Sequence, residues 1–215
     1  MIWAIILTAI IAYLLGSISF SIIFTKKFAG FDVRQKGSGN AGSTNVLRTA
    51  GKKPAILTLI CDILKGVLAV VVAFLMGKIA NADVWNSALL IQVAGVCVVL
   101  GHTFPIFFGF KGGKGVATAL GVLLITNWQI GLICLVFALV LMAITRIVAL
   151  GSIAAAILFP VLCFFITNNF LVGDESTRMT YLVFGIIMAL IVIFNHRSNI
   201  QRMASGTENK LIFKK

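Results

Sequence analysis

Three polar stretches of this 215-residue chain hold most of the residue types that could bind an anion or assist a transfer reaction. The first is GSGNAGSTNVLRTAGKK, Gly37 to Lys53. Gly37, Gly39 and Gly42 fit the G-x-G-x-x-G spacing, but no strand precedes them and no βαβ unit fits here, so a dinucleotide site is excluded. Ser38, Asn40, Ser43, Thr44 and Asn45 offer polar side chains, and Arg48 offers a planar fork suited to phosphate. Ser38, Gly39, Asn40, Asn45 and Arg48 are the candidate residues.

The second stretch is GHTFPIFFGFKGGKGVAT, Gly101 to Thr118. Its Gly109-Phe-Lys-Gly-Gly-Lys-Gly115 core is one residue short of a P-loop, and Gly115 stands where a metal-holding hydroxyl would be. Phosphate binding without a nucleotide-bound metal is the expectation, from Lys111, Gly112, Gly113, Lys114 and Gly115 before a helix N-terminus. The third stretch, NHRSNIQRMASGTENK, runs from Asn195 to Lys210. His196, Asn199 and Arg202 share one face if the preceding helix continues past the bilayer surface. Within an apolar run, Asp62 and Lys65 stand at i, i+3, where charges are costly unless paired or functional. His102 lies one turn inside the membrane and reads as a hydrogen-bonded structural residue.

The elements that must carry these residues are membrane helices. Hydrophobic residues make up 60% of the chain and charged residues 11%, against about 25% in soluble domains. The mean hydropathy is +1.09. The net charge of +12 sits in loops between apolar runs, and the aromatics are mostly Phe inside those runs, so nucleic-acid binding is excluded. Cys61, Cys97, Cys134 and Cys163 each stand alone in apolar sequence, without metal-ligand spacing. No metal site is expected.

Apolar runs fall at about 2–24, 54–77, 84–108, 116–144, 149–167 and 179–194, each measured against about 20 residues per span. The run 116–144 is too long for one upright helix. Its polar middle, Thr126-Asn127-Trp128-Gln129, predicts a turn. Charge supports the split: loop 25–53 holds seven basic residues and one acid, Asp32, so it is expected in the cytoplasm. A split run also puts the basic tail inside and Asp174-Glu175 outside. The expected fold is therefore an all-α polytopic membrane protein. It has about seven transmembrane segments, the fourth short or tilted, with the N-terminus outside and the C-terminus cytoplasmic. Residues 1–215 are read as a single integral membrane domain.

Three motifs together, GSGNxGxTNVxR, GHxFPxFxxFKGGKGVAT and HxxNIxRxxxGxExK, make the chain resemble the bacterial membrane acyl-phosphate:glycerol-3-phosphate acyltransferases, the PlsY family. The CDILKG segment, Cys61 to Gly66, resembles the family's second span. The resemblance covers nearly the whole chain. It implies transfer of a fatty acyl group from acyl phosphate to the 1-hydroxyl of glycerol 3-phosphate, the first step of phospholipid synthesis. The product would be 1-acyl-glycerol 3-phosphate (lysophosphatidic acid). It implies essential roles for Ser38 and Arg48, a glycerol-phosphate loop at Lys111 to Gly115, important His196 and Asn199, and an integrity role for Glu208. Arg202 is grouped with the supporting residues Asp62, Lys65, His102 and Glu208. The implied setting is the bacterial inner membrane with the site on the cytoplasmic face, no cofactor, and membrane lipid and the acyl-phosphate-generating enzyme as partners. Many members carry serine where this chain has Ala149, so Ser152 is the fallback for a hydroxyl contact to phosphate.

An acyl phosphate already has a good leaving group, so the chemistry asks mainly for two anions held close together and one hydroxyl aimed at a carbonyl. No His-x-x-x-x-Asp dyad exists: Phe107 follows His102 and Gln201 follows His196 at the fifth place. The proton goes either to His196 or to a substrate phosphate oxygen, and the second is preferred. An acyl-Ser38 intermediate is the alternative to direct transfer, but the local sequence places no base beside it. A solute transporter would place charge near the midplane and often shows inverted repeats. Neither is visible here. A basic lipid-binding scaffold leaves the clustered Ser, Asn and Gly unexplained.

Overall fold

The computed structural model describes residues 1–166 and 177–211, and every regular element among them is helical. The chain forms two compact units, Met1–Ile125 and Thr126–Lys215. The N-terminal unit contains α1 (Ile2–Gly16), α2 (Phe20–Ala29), α3 (Ser43–Ala50), α4 (Lys52–Ile79), α5 (Val84–Thr103) and nearly all of α6 (Val116–Thr126). The second unit contains α7 (Trp128–Thr145), α8 (Val148–Phe165), α9 (Arg178–Asn195) and α10 (Arg197–Ala204).

Among the described residues, six stretches are long and apolar enough to cross a membrane: Ile2–Ala29, Lys52–Ile79, Val84–Phe108, Trp128–Thr145, Val148–Phe165 and Arg178–Asn195. The seventh segment expected, α6, is apolar but only 11 residues long, too short by length to be counted with these six. The run 116–144 is split where its polar middle predicts: α6 ends at Thr126, and Asn127 caps α7 by accepting the Ile130 N–H at 3.0 Å. The Asp174-Glu175 loop lies outside the described residues, as do Lys214 and Lys215. Two helix ends differ from the sequence reading. The first run is two helices broken at Ser17–Ser19, and α9 stops at Asn195 rather than continuing through His196.

The outward faces suit lipid. On α4, Leu64, Leu68 and Leu75 are about half exposed, at steps of four and seven residues along one side. The inward stripe carries Thr58, Asp62, Lys65, Gly66, Ala69, Ala73 and Gly77. Small residues allow helix backbones to approach closely, which drives packing where the solvent is itself apolar. A methyl group on Gly16 would overlap the Val98 carbonyl, and one on Gly101 the Tyr13 carbonyl, so α1 and α5 meet backbone to backbone. The same holds for Gly66 on α4 against Thr118 of α6, and for Gly121 on α6 against Ile63.

The second unit is held by an aromatic cluster. Phe159 of α8 meets Tyr181 and Phe184 of α9 edge-on, with ring centroids 6.0 Å apart in each case. The Tyr181 hydroxyl hydrogen-bonds Thr126 Oγ1 at 3.1 Å. Gly185 lets α9 pass close to Pro160, which lies within α8.

Two glycines test this packing account. Gly30 has a left-handed backbone and open space around it, so Gly30→Ala costs about 1–2 kcal/mol of strain alone. Gly101→Ala pushes a methyl into rigid backbone, and overpacking of that kind costs about 3 kcal/mol or more. Thermal unfolding in detergent is expected to show the larger loss for Gly101→Ala. Equal losses would contradict the close α1–α5 crossing.

Candidate functional site

The N-terminal unit brings the first two polar stretches together as one knitted loop pair. Asn45, at the start of α3, is buried and organises the first loop. Its Nδ2 donates to the carbonyls of Val33, Lys36 and Asn40 at 3.0–3.1 Å, and its Oδ1 accepts the Ser38 N–H at 3.0 Å. The carboxamide is thus committed to shaping the loop, where sequence reasoning put it on phosphate. Asn does both jobs, and only the fold distinguishes them. The side chains of Ser38 and Arg48 are exposed on this loop and on α3.

The second loop begins where α5 ends. Its root is pinned by the Tyr13 hydroxyl donating to the Phe104 carbonyl at 2.7 Å, and by the Ile106 N–H reaching Ser17 Oγ at 3.4 Å. The chain then folds back on α5. Gly112 N–H donates to the Thr103 carbonyl at 3.0 Å and Gly113 N–H to the His102 carbonyl at 3.1 Å. A side chain on Gly113 would strike both His102 Nε2 and the Ala41 carbonyl. These glycines therefore serve close approach. Their amides, like that of Gly39, which donates to Lys36 at 3.2 Å, are engaged with protein carbonyls rather than turned to an anion. This differs from the backbone cradle expected at Gly39, Gly112 and Gly113. Gly115, with a left-handed backbone against Val99, opens the way into α6. The cationic side chains in this unit that could meet an anion are Arg48, exposed Lys111 and half-buried Lys114.

Two contacts join the loops. Ala41 N–H donates to the Gly112 carbonyl at 3.4 Å. Arg34 donates from Nη1 to the carbonyls of Phe108 at 2.6 Å and Lys111 at 3.3 Å, while Nε and Nη2 grip the Asp32 carboxylate at 3.0 and 2.8 Å. Sequence reasoning passed over Arg34 as part of a charged stretch. An acid and an arginine two residues apart beside a glycine loop are the available signal, but the partners are 74 and 77 residues away. Arg34 holds the Asp32 carboxyl below the usual carboxylate range, and Asp32 in turn raises Arg34.

Below the loops, Asp62, Lys65 and His102 are all buried. Lys65 Nζ lies 2.9 Å from Asp62 Oδ1, and His102 Nδ1 lies 3.6 Å from the same oxygen. No group of three or more metal-ligating side chains occurs among the described residues.

The second unit carries the third stretch. His196 sits at the junction of α9 and α10, buried, with Nδ1 2.8 Å from the Val192 carbonyl. A carbonyl only accepts, so Nδ1 bears the proton and the neutral ring's lone pair is on Nε2. Asn199 Nδ2 donates to Glu208 Oε1 at 2.9 Å, and Arg202 Nε donates to Glu208 Oε2 at 2.9 Å. Glu208 therefore fixes the Asn199 amide with its oxygen turned away from the carboxylate. Leu211 N–H reaches the Arg146 carbonyl at 2.8 Å, anchoring the tail beside the α7–α8 turn. Ser152 is buried in α8 and donates its hydroxyl to Val148 at 3.0 Å. That proton is engaged within the helix, which is at odds with the phosphate contact expected of it.

The Arg34 clamp makes a prediction about order in the second loop. Lysine keeps the charge but lacks the fork. With charge-assisted hydrogen bonds worth about 1.5–3 kcal/mol, Arg34→Lys should speed amide exchange across residues 109–113 by about tenfold or more. Because the Asp32 pKa is depressed, its contribution is present above the unfolded carboxyl value and lost only as pH falls through the lower folded value. Protection, corrected for intrinsic exchange, should therefore hold from about pH 8 down to about pH 5. Equal exchange in Arg34→Lys would show that the clamp does not order the loop.

The chain matches the family model "Glycerol-3-phosphate acyltransferase" over residues 6–206, which spans both units. A glycerol-3-phosphate acyltransferase of Clostridioides difficile (strain 630) is 42% identical over 214 residues, covering 100% of this chain and 98% of the relative. Another, from Thermoanaerobacter sp. (strain X514), is 44% identical, covering 96% and 95%. A crystal structure of PlsY (YgiH), an integral membrane glycerol 3-phosphate acyltransferase in its glycerol 3-phosphate form, aligns with a TM-score of 0.82 at 36% identity, covering 97% and 96%. Its lysophosphatidic acid form aligns with a TM-score of 0.80 at 35% identity, covering 97% and 95%. The chain therefore belongs to the glycerol-3-phosphate acyltransferase family and is an integral membrane acyltransferase.

Proposed function

We propose that this enzyme transfers a fatty acyl group from acyl phosphate to the 1-hydroxyl of glycerol 3-phosphate, releasing 1-acyl-glycerol 3-phosphate and inorganic phosphate. The observation that carries the reading is the joined loop pair, which gathers Ser38, Arg48, Lys111 and Lys114 on neighbouring segments of one unit. Two phosphorylated substrates repel each other, and a cluster of cations offsets that repulsion. The relative solved in glycerol 3-phosphate and lysophosphatidic acid forms supports the acceptor and the product. The whole chain, 1–215, is taken as one acyltransferase domain, since the family match runs across both units.

In the proposed step, the acceptor hydroxyl oxygen attacks the acyl carbonyl carbon and the bond from that carbon to the phosphate oxygen breaks. The hydroxyl proton leaves on the departing phosphate as hydrogen phosphate. An orthophosphate trianion is a far stronger base than imidazole, so the substrate can take its own proton. His196 and Asn199 then serve as hydrogen-bonding residues rather than as the base, the ring oriented by the Val192 carbonyl and the amide by Glu208. No metal or cofactor enters the scheme. The basic loops lie on the cytoplasmic face of the bacterial inner membrane, with the N-terminus outside and the tail inside. A soluble acyl-phosphate-generating enzyme is the partner that this placement would serve.

Purified protein supplied with glycerol 3-phosphate is expected to make lysophosphatidate from acyl phosphate and none from acyl-CoA. No product from acyl phosphate would defeat the enzyme reading. Product from acyl-CoA alone would overturn the donor. Labelled acyl phosphate without acceptor should leave Ser38 unlabelled. A stable acyl ester on Ser38 would establish the two-step route instead.

A further inference from the structure

Charges inside a membrane helix cost several kcal/mol unless they are paired or put to use. Asp62 and Lys65 are paired, at i, i+3 on α4, and mutual neutralisation would need nothing more. Their contacts extend further in both directions. Lys65 Nζ also donates to the carbonyls of Gly16 and Ile18, each at 3.1 Å, which are the groups left open where α1 breaks before α2. On the other side, Asp62 Oδ1, the oxygen that pairs with Lys65 at 2.9 Å, also faces His102 Nδ1 at 3.6 Å, and that nitrogen has no hydrogen-bond partner among the described residues. His102 in turn bears directly on the glycine loop. Its carbonyl holds the Gly113 N–H, and its Nε2 packs where a Gly113 side chain would be. The next carbonyl, of Thr103, holds the Gly112 N–H. A continuous set of contacts thus runs from the broken first helix through three buried ionisable groups to the residues between Lys111 and Lys114.

We infer that Asp62, Lys65 and His102 are positioning residues for the phosphate loop. The intramembrane ion pair fixes the imidazole, and the imidazole with its own carbonyl sets the depth at which Gly112 and Gly113 rest on α5. That depth determines where the Lys111 and Lys114 ammonium groups stand. The inference rests on the reading of those lysines as the cations that hold the glycerol 3-phosphate phosphate.

Two full-length variants test it beside the wild type, in the assay with acyl phosphate and glycerol 3-phosphate. Asp62→Asn/Lys65→Met removes both charges at once and so leaves no unpaired buried ion. His102→Gln leaves the ion pair intact and alters only the ring. His102→Gln is expected to melt close to the wild type, and the double variant somewhat lower because Met withdraws the donors from the Gly16 and Ile18 carbonyls. Both are expected to raise KM for glycerol 3-phosphate by about tenfold and to leave KM for acyl phosphate nearly unchanged. Wild-type KM values in both variants would overturn the inference and reduce the ion pair to neutralised ballast. A joint fall in melting temperature with both KM values rising together would also overturn it, in favour of a purely structural role. A wild-type enzyme that makes no product would instead defeat the functional reading, so the two failures are distinct.

Discussion

Backbone amides and carbonyls at the edge of a bilayer must find partners within the protein, because the hydrocarbon beside them offers none. Helices satisfy this internally. The chain between helices does not, and in this protein those connecting segments carry the polar chemistry. The loop over residues 104–115 answers the constraint by folding its amides back onto the last carbonyls of α5, and the segment over 33–45 by wrapping its carbonyls around Asn45. With the backbone satisfied internally, the exposed polar groups are side chains. The site proposed on these loops is therefore a set of cations and hydroxyls on a hydrogen-bonded base rather than a backbone cradle. Such a base favours electrostatic catalysis, because its groups need little reorganisation when charge moves.

The same constraint explains the small residues and the buried ions beneath. Gly16, Gly66, Gly101 and Gly121 bring helix backbones into contact, so the helices carrying the loops are held by close packing where no hydrophobic drive acts between them. Lys65 supplies donors to the carbonyls freed by the break between α1 and α2, a break that the membrane would otherwise penalise. In the second unit, Glu208 and the Val192 carbonyl fix the orientation of Asn199 and His196 in a comparable way.

Hydropathy reveals the spans because it sums over some twenty residues, and single exceptions average out. The turn at Asn127 was legible because a lone polar cluster in an apolar run also supplies its own cap. The break at Ser17–Ser19 was not, since it contains no proline or charge and depends on Lys65, some 47 residues on. The termination of α9 at Asn195 was equally hidden, because the residues after it are good helix formers and do form α10. Among the candidate residues, the identities of Ser38, Arg48, Lys111, Lys114 and His196 could be read as chemistry. The division of labour could not. Asn45 and Arg34 act on backbone atoms that come near only after folding, and Ser152 is diverted to its own helix by a local carbonyl. Residue type reports what a side chain can bond, whereas the fold decides which partner comes within reach.

If the two loops form one anion-binding surface, their residues should be energetically coupled. The direct measurement is a double-mutant cycle on glycerol 3-phosphate binding by calorimetry, pairing Asn45→Ala in the first loop with Lys111→Ala in the second. A shared surface predicts a coupling energy of about 1 kcal/mol or more. Additive effects, within about 0.3 kcal/mol, would mean that the loops act independently and would contradict the account.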